Sequence, residues 1–189
     1  MRENNVELAL EENPIIAAVK DKNGLKEAIQ TDCNTIFILN SDIINVGEIV
    51  DQVKAHNKLA FVHIDLLEGT SNKEVALQFL KESTKADGII STKAQMVHAA
   101  RNYGFYTVHR FFLVDSMSFR SIDKQIANSN PHFIEILPGG MSKAIGWVKD
   151  KINTPIIASG LVCEKDDVVT ALQAGAVAIS STNSDVWYM

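Results

Sequence analysis

The sequence predicts an α/β fold: a compact (β/α)8 barrel of TIM-barrel type with parallel strands. Three observations predict it. Eight short apolar runs of strand type recur from end to end of the 189-residue chain. Helix-like segments separate them at a spacing of roughly 20–25 residues, which fits successive parallel βαβ units. No composition break marks a second domain, and a chain of this length can bury one full core. The chain is short for the fold, which typically takes about 250 residues, so loops and some helices must be minimal. An open doubly wound sheet is the rival. It usually has fewer strands, and no GxGxxG follows the first run.

Residues 1–13 form an N-terminal extension, whose order the sequence leaves open, ahead of a single domain at 14–189. The first run is PIIAAVK (14–20), ending in Lys20 and Asp21. TIFILN (35–40) is the second and ends in Asn40, Ser41 and Asp42. The segment after it, SDIINVGEIVDQVKAHNK, must supply the second helix. LAFVHIDL (59–66) is the third and carries His63 and Asp65; NKEVALQFLKEST follows as a helix. GIIST (88–92) leads into Lys93 and the helix KAQMVHAARNYG, which stops at Gly104. YTVHRFFL (106–113) holds His109 and Arg110. The next helix, DSMSFRSIDKQIANS, opens on Asp115 and Ser116, either of which suits an N-cap. HFIEILP (132–138) contains Glu135 and precedes Gly139 and Gly140. PIIASGL (155–161) ends in Ser159 and Gly160, and the helix KDDVVTALQAG ends in Gly175. AVAISST (176–182) runs through Ser180, Ser181 and Thr182 into Asn183 and a short helix at Ser184 to Trp187.

Bulk properties narrow the function. The net charge of −5 gives no support to non-specific nucleic-acid binding, which needs a basic surface, though a local basic patch stays open. Cys33 and Cys163 are far apart and form no CxxC or Cys/His cluster, which fits a reducing cytoplasm and argues against zinc or a disulfide framework. No apolar run approaches the ~20 residues of a membrane span. The acidic start, MRENNVELALEEN, lacks the basic and then apolar regions of a signal peptide. A cytoplasmic protein is expected, with its oligomeric state open.

In barrels of this kind, chemistry gathers at the C-terminal ends of the strands. The candidate ligand-binding residues fall there: Lys20, His63, Asp65, Lys93, Arg110, Glu135, Gly139, Ser159, Gly160, Ser181, Thr182 and Asn183. Barrels often bind phosphate with the loops after the last two strands and a short helix. Ser159-Gly160 and Ser181-Thr182-Asn183 suit that use, and equally suit an ordinary turn and helix cap. Period-2 alternation puts His63 and Asp65 on one face of a strand. They could be a structural pair, could bind a substrate hydroxyl, or could join Glu135 around a metal. Arg110 suits an anion or a buried pair with Glu135. His109 faces away from Arg110. His56 and His98 fall on solvated helices, and His132 lies at the end far from any site. The residues of RFFLV read as core.

The stretches FVHIDLLEG, DGIISTK, HRFFLVDS, PHFIEILPGGMSK, PIIASGL and SSTNSDVW resemble, in order and spacing, the glycerol uptake operon antiterminator regulatory proteins. The resemblance runs from about Pro14 to the C-terminus. It implies a compact barrel, glycerol 3-phosphate as effector, and binding to leader mRNA that lets glycerol-uptake genes be expressed. It also implies a non-catalytic use for His63 and Asp65, within Val62 to Leu66, as holders of the ligand's hydroxyls. Arg110, Glu135, Pro138, Gly139, Gly160, Ser181 and Asn183 match as well. Four positions depart: Lys93 stands for the usual arginine, His109 for glutamine, and Ser159 for glycine, and Pro138-Gly139-Gly140-Met141-Ser142-Lys143 lacks a second proline.

Two functions are therefore weighed. One is a ligand-responsive RNA-binding regulator with no cofactor and no catalytic residue. RNA needs a localised cationic set on an acidic protein; Lys93, Arg101, Arg120, Lys124, Lys143, Lys149 and Lys151 are candidates, each of which could equally be ordinary solvated surface. The other is an enzyme on a phosphorylated polyol, in its best form a metal-dependent phosphodiesterase using His63, Asp65 and Glu135. The sixth run carries Glu135 and no lysine, which excludes a Schiff-base lyase with its amine there.

Overall fold

The computed structural model describes residues 4–71 and 73–189. Its elements, in order, are α1 (Asn4–Glu12), β1 (Ile15–Val19), α2 (Lys22–Ala28), β2 (Thr35–Ile38), β3 (Ser41–Asp42), α3 (Val46–Ala55), β4 (Leu59–His63), a 3-10 turn (Ile64–Leu66), β5 (Leu67–Glu68), α4 (Glu74–Ser83), β6 (Gly88–Ser91), α5 (Ala94–Asn102), β7 (Tyr106–Phe112), α6 (Ser116–Ser129), β8 (Phe133–Leu137), α7 (Ser142–Lys149), β9 (Ile156–Ser159), α8 (Lys165–Gln173), β10 (Ala178–Ser181) and α9 (Ser184–Trp187). The eight apolar runs of the sequence are the eight staves of a closed barrel. Going round it, β1, β2, β4, β6, β7, β8, β9 and β10 pair in parallel, and β10 returns to β1.

Strand alternation divides the core in two. Outward residues such as Ile36, Val62, Ile89, Ile134 and Ile156 pack against the helices in one cluster. Inward residues form a second cluster: Ile16, Ala18, Phe37, Phe61, Ile90, Val108, Phe133, Ile157 and Ala178. The registers stack these inward side chains in layers of four, drawn from alternate strands. Within residues 1–13, Asn4–Glu12 is helical, and Val6 and Leu10 of α1 join the inner cluster. That helix therefore stops the N-terminal end of the barrel. Met1 to Glu3 lie outside the described residues.

Local chemistry sets the helix ends. Asp21 caps α2 by accepting from Asn23 N and Gly24 N, and Asp115 caps α6 by accepting from Ser118 N. Gly104 and Gly175 end α5 and α8 with left-handed φ of 73° and 107°. The sequence reading missed two features. One is α1. The other is a two-stranded sheet, β3 with β5, that ties the loop after β2 to the loop after β4.

Gly88 is required by space alone. A Cβ on Gly88 would lie 2.3 Å from a Phe61 ring carbon and 2.7 Å from the Tyr106 carbonyl oxygen, inside the barrel. Gly88→Ala is expected to lower the unfolding free energy by about 1–3 kcal/mol. Urea titration of both proteins checks this; equal midpoints would show that the interior has slack.

Candidate functional site

Above its apolar lower half the barrel interior turns polar. Counting up the registers, Phe37, Ile90, Glu135 and Ser180 share one level, and Ala18, His63, Arg110 and Ser159 share the next. All of these polar residues are buried, Glu135 and Ser180 completely. Arg110 and Glu135 are register partners on β7 and β8, and the guanidinium Nε donates to Glu135 Oε2. The two terminal nitrogens of Arg110 make no hydrogen bond with the described residues. Three further atoms at these levels are buried without a partner among the described residues: His63 Nδ1, Glu135 Oε1 and Ser180 Oγ. A buried polar atom left unpaired costs roughly 1–3 kcal/mol, so three on adjoining levels single this place out as the candidate site.

His63 ends β4, whereas Asp65 lies in the 3-10 turn beyond it. The expectation that both sit on one face of a strand is corrected: the strand stops two residues early, because the turn delivers the Asp65 carboxylate to the neighbouring loop. There Asp65 accepts from Ser91 Oγ at 2.6 Å, Thr92 N at 2.7 Å and Thr92 Oγ1 at 2.7 Å. It fastens the third stave's loop to the fourth's. His109 faces opposite to Arg110, as the alternation requires, and is the one turned outward; it bonds Ser129 Oγ of α6 at 2.8 Å.

The loops after β8 and β9 meet through two glycines. Gly139 N donates to the Gly160 carbonyl at 2.8 Å, and a Cβ on Gly139 would lie 2.5 Å from Ser159 N. Gly160 has φ 72°, which favours glycine. At the eighth stave, Ser181 Oγ donates to the Val162 carbonyl, Asn183 Nδ2 donates to the Cys163 carbonyl, and Asn183 Oδ1 caps α9 by accepting from Asp185 N. Both side chains are thus spent on the turn. Thr182 is exposed at the mouth. Lys93 is exposed at the start of α5. Lys20 lines a separate cavity of about 290 Å³, shared with Asp21, Asn40, Asp42 and Glu68.

The structure therefore brings His63, Arg110, Glu135 and Ser159 together inside the mouth, sets Gly139 and Gly160 at its edge, and turns Ser181 and Asn183 away from it. The set of candidate ligand residues passes over Ser180. The alternation in AVAISST carries the signal: Ala178, Ser180 and Thr182 share the inward face, and Ser181 does not.

Burial is the main cause that depresses His63, to a pKa of about 4, with the Arg110 charge adding to it. Burial brings His109 to about 4 as well. Both imidazoles are neutral at pH 7, so His63 offers a hydrogen-bonding group and not a cation. Burial raises the Asp65 carboxyl, but the Ser91 and Thr92 hydrogen bonds outweigh it and hold the group below its ordinary value. Asp65 is an anion that is already satisfied. Among the described residues no three His, Cys, Asp or Glu side chains are grouped as metal ligands.

Comparison with known proteins places this geometry. The glycerol-3-phosphate responsive antiterminator family matches residues 15–187. The protein YgcP of Escherichia coli (strain K12) is 56% identical over 178 residues, 94% of this chain and 93% of its own. The glycerol uptake operon antiterminator regulatory protein of Listeria monocytogenes superposes with a TM-score of 0.89 at 26% identity, over 93% of this chain and 95% of its own. A glycerol uptake operon antiterminator-related protein of Thermotoga maritima gives 0.82 at 31% identity, over 93% and 98%.

The histidines predict a pH dependence. The unfolded chain takes up protons near pH 6.5, while the fold refuses them at His63 and His109 until about pH 4. Their contribution is therefore complete above pH 6.5 and is lost as pH falls from there towards 4. The slope reaches about 1.4 kcal/mol per pH unit for each histidine. Urea titrations at pH 7, 6 and 5 should show the loss, and His109→Gln should remove about half of this two-histidine slope. An unaltered slope would mean that His109 is not held neutral.

Proposed function

We propose a function that starts from one premise: the chain belongs to the glycerol-3-phosphate responsive antiterminator family. In this reading the barrel mouth takes glycerol 3-phosphate. The liganded protein then binds the leader mRNA of glycerol-uptake genes in the cytoplasm and prevents early termination. One observation carries the ligand half: the buried, unpartnered His63 Nδ1, Glu135 Oε1 and Ser180 Oγ beside the open end of Arg110. A small polyol phosphate matches that set. Its hydroxyls can donate to Glu135 Oε1, and neutral His63 and Ser180 can donate or accept as needed. Its phosphate suits the two terminal nitrogens of Arg110, together with the backbone and hydroxyls at Ser159, Gly160 and Thr182.

The same residues weigh against a metal-dependent phosphodiesterase. Asp65, which would have to complete its ligand set, already accepts three hydrogen bonds from Ser91 and Thr92. Glu135 is committed to Arg110 through one oxygen. In a regulator these constraints are useful, because they leave the pocket's free polar atoms to the ligand. Antitermination then needs only that the RNA-binding form bind the ligand more tightly than the other form does.

Calorimetric titration tests this. Glycerol 3-phosphate is expected to bind one site per chain without turnover, and far more tightly than glycerol or inorganic phosphate. Ser180→Ala removes a hydroxyl that has no partner among the described residues, so folding should be unchanged and affinity about fivefold weaker. A gel-shift titration of a glycerol-uptake leader transcript should then tighten on adding the ligand. Hydrolysis of a glycerophosphodiester, or absence of binding, would sink the reading.

A further inference from the structure

Charge is segregated along this chain. Residues 88–151 carry eight Lys and Arg against four Asp and Glu, a net +4, while the remainder carries ten against nineteen, a net −9. The positive segment runs from β6 through α7 and just beyond. Its staves are neighbours in the barrel, so it occupies one side of the molecule. Arg110 and Glu135 cancel inside. Outside there remain seven cations, Lys93, Arg101, Arg120, Lys124, Lys143, Lys149 and Lys151, against Asp115, Asp123 and Asp150. Asp115 is turned to its helix cap, and Asp123 pairs with Lys151 at 3.1 Å. An acidic protein thus presents one basic face.

Aromatic rings stand on that face, on α6 and α7. Trp147 on α7 is 51% exposed. Phe119 on α6 is tilted towards it at 59° with ring centres 6.2 Å apart. Lys143 Nζ lies 5.2 Å from the centre of the Trp147 ring. Lys151 lies 5.2 Å from that of Phe119 and donates to the Phe119 and Arg120 carbonyls, which fixes α6 against the chain after α7. Between the helices runs a largely apolar groove of about 610 Å³, lined among others by Leu113, Val114, Phe119, Met141, Ala144 and Trp147, with Asp115 and Asp150 the charged residues of its lining.

We propose that this α6–α7 groove is where unpaired RNA docks, with a base against Trp147 and its phosphate on Lys143. The inference rests on the RNA-binding reading above and names its surface. An exposed indole with an ammonium group beside it and further cations on the neighbouring helices is the combination that single strands require: a platform for one π-face and cations along the backbone. Duplex bases are already stacked and cannot use the ring. A second copy docked by the same patch would set one cationic face against another, because a two-fold interface pairs a surface with itself. The cations around the groove therefore favour a polyanion, since of the two carboxylates in its lining Asp115 is turned to its helix cap and only Asp150 opposes it.

The test begins with the wild-type protein, glycerol 3-phosphate and a pool of randomised single-stranded RNA, from which binders are enriched. Filter binding of the enriched RNA then compares variants. Trp147→Ala should weaken binding about tenfold or more, and Trp147→Phe should restore most of it. Lys143→Ala should weaken binding and make the slope of log affinity against log salt shallower by about 0.7. Enriched RNA that binds these variants as it binds the wild type would overturn the surface and leave the RNA reading standing. Failure to enrich any RNA would overturn both. Light scattering separates the other occupant: an oligomer broken by Trp147→Ala, with RNA affinity unchanged, would assign the groove to a second copy.

Discussion

The upper half of this barrel depends on one buried ion pair. Removing two charges from water costs several kcal/mol each unless their partners are well placed. Arg110 and Glu135 are well placed because β7 and β8 run parallel in a register that makes them direct neighbours. The pair fixes the guanidinium at one end and leaves its other nitrogens and one carboxylate oxygen uncommitted. Below it the interior is packed with Phe37, Phe61, Val108 and Ile157. The lower half supplies stability, and the pair sets the chemistry of everything above.

The loops round the mouth are held by short polar links. Asp65 joins the loops after β4 and β6, β3 joins β5, and Gly139 joins the loops after β8 and β9. Each link restrains backbone near the pocket and uses no pocket atom. The staves that carry Arg110 and Glu135 run directly into α6 and α7. Only residues 111–115 and 136–141 separate Arg110 and Glu135 from the helices that frame the α6–α7 groove. Ligand and RNA would therefore communicate through two short segments, one of them built round a glycine with no room for a side chain.

Most of the architecture was legible in the sequence because strand alternation and helix stops are local signals. Eight runs, Gly104, Gly175, the Asp115 cap and the short Ser184–Trp187 helix all sit where the pattern puts them. The pairing of Arg110 with Glu135 was one of two readings left open, since register between strands is not written within either strand. His63 was legible; the role of Asp65 was not, because a turn ends the alternation between them. Ser180 was hidden by its neighbours: three hydroxyl residues in a row look alike until the face of each is known. The α1 helix was missed because its apolar side is only Val6 and Leu10 among acidic residues, too thin a pattern to mark an amphipathic helix. The basic face was visible as a list of lysines, but only the order of the staves makes the list a surface.

The stopper formed by α1 has a kinetic meaning. With the packed layers of Phe61, Val108 and Ile157 below the pocket, and Val6 and Leu10 seated beneath them, the barrel is blind at that end. A bound molecule has one door. Anything that covers this door without touching the molecule slows arrival and departure by the same factor, so residence time lengthens while equilibrium occupancy stays where it was. A regulator of this shape can hold the memory of a metabolite for longer than the metabolite's affinity alone would dictate.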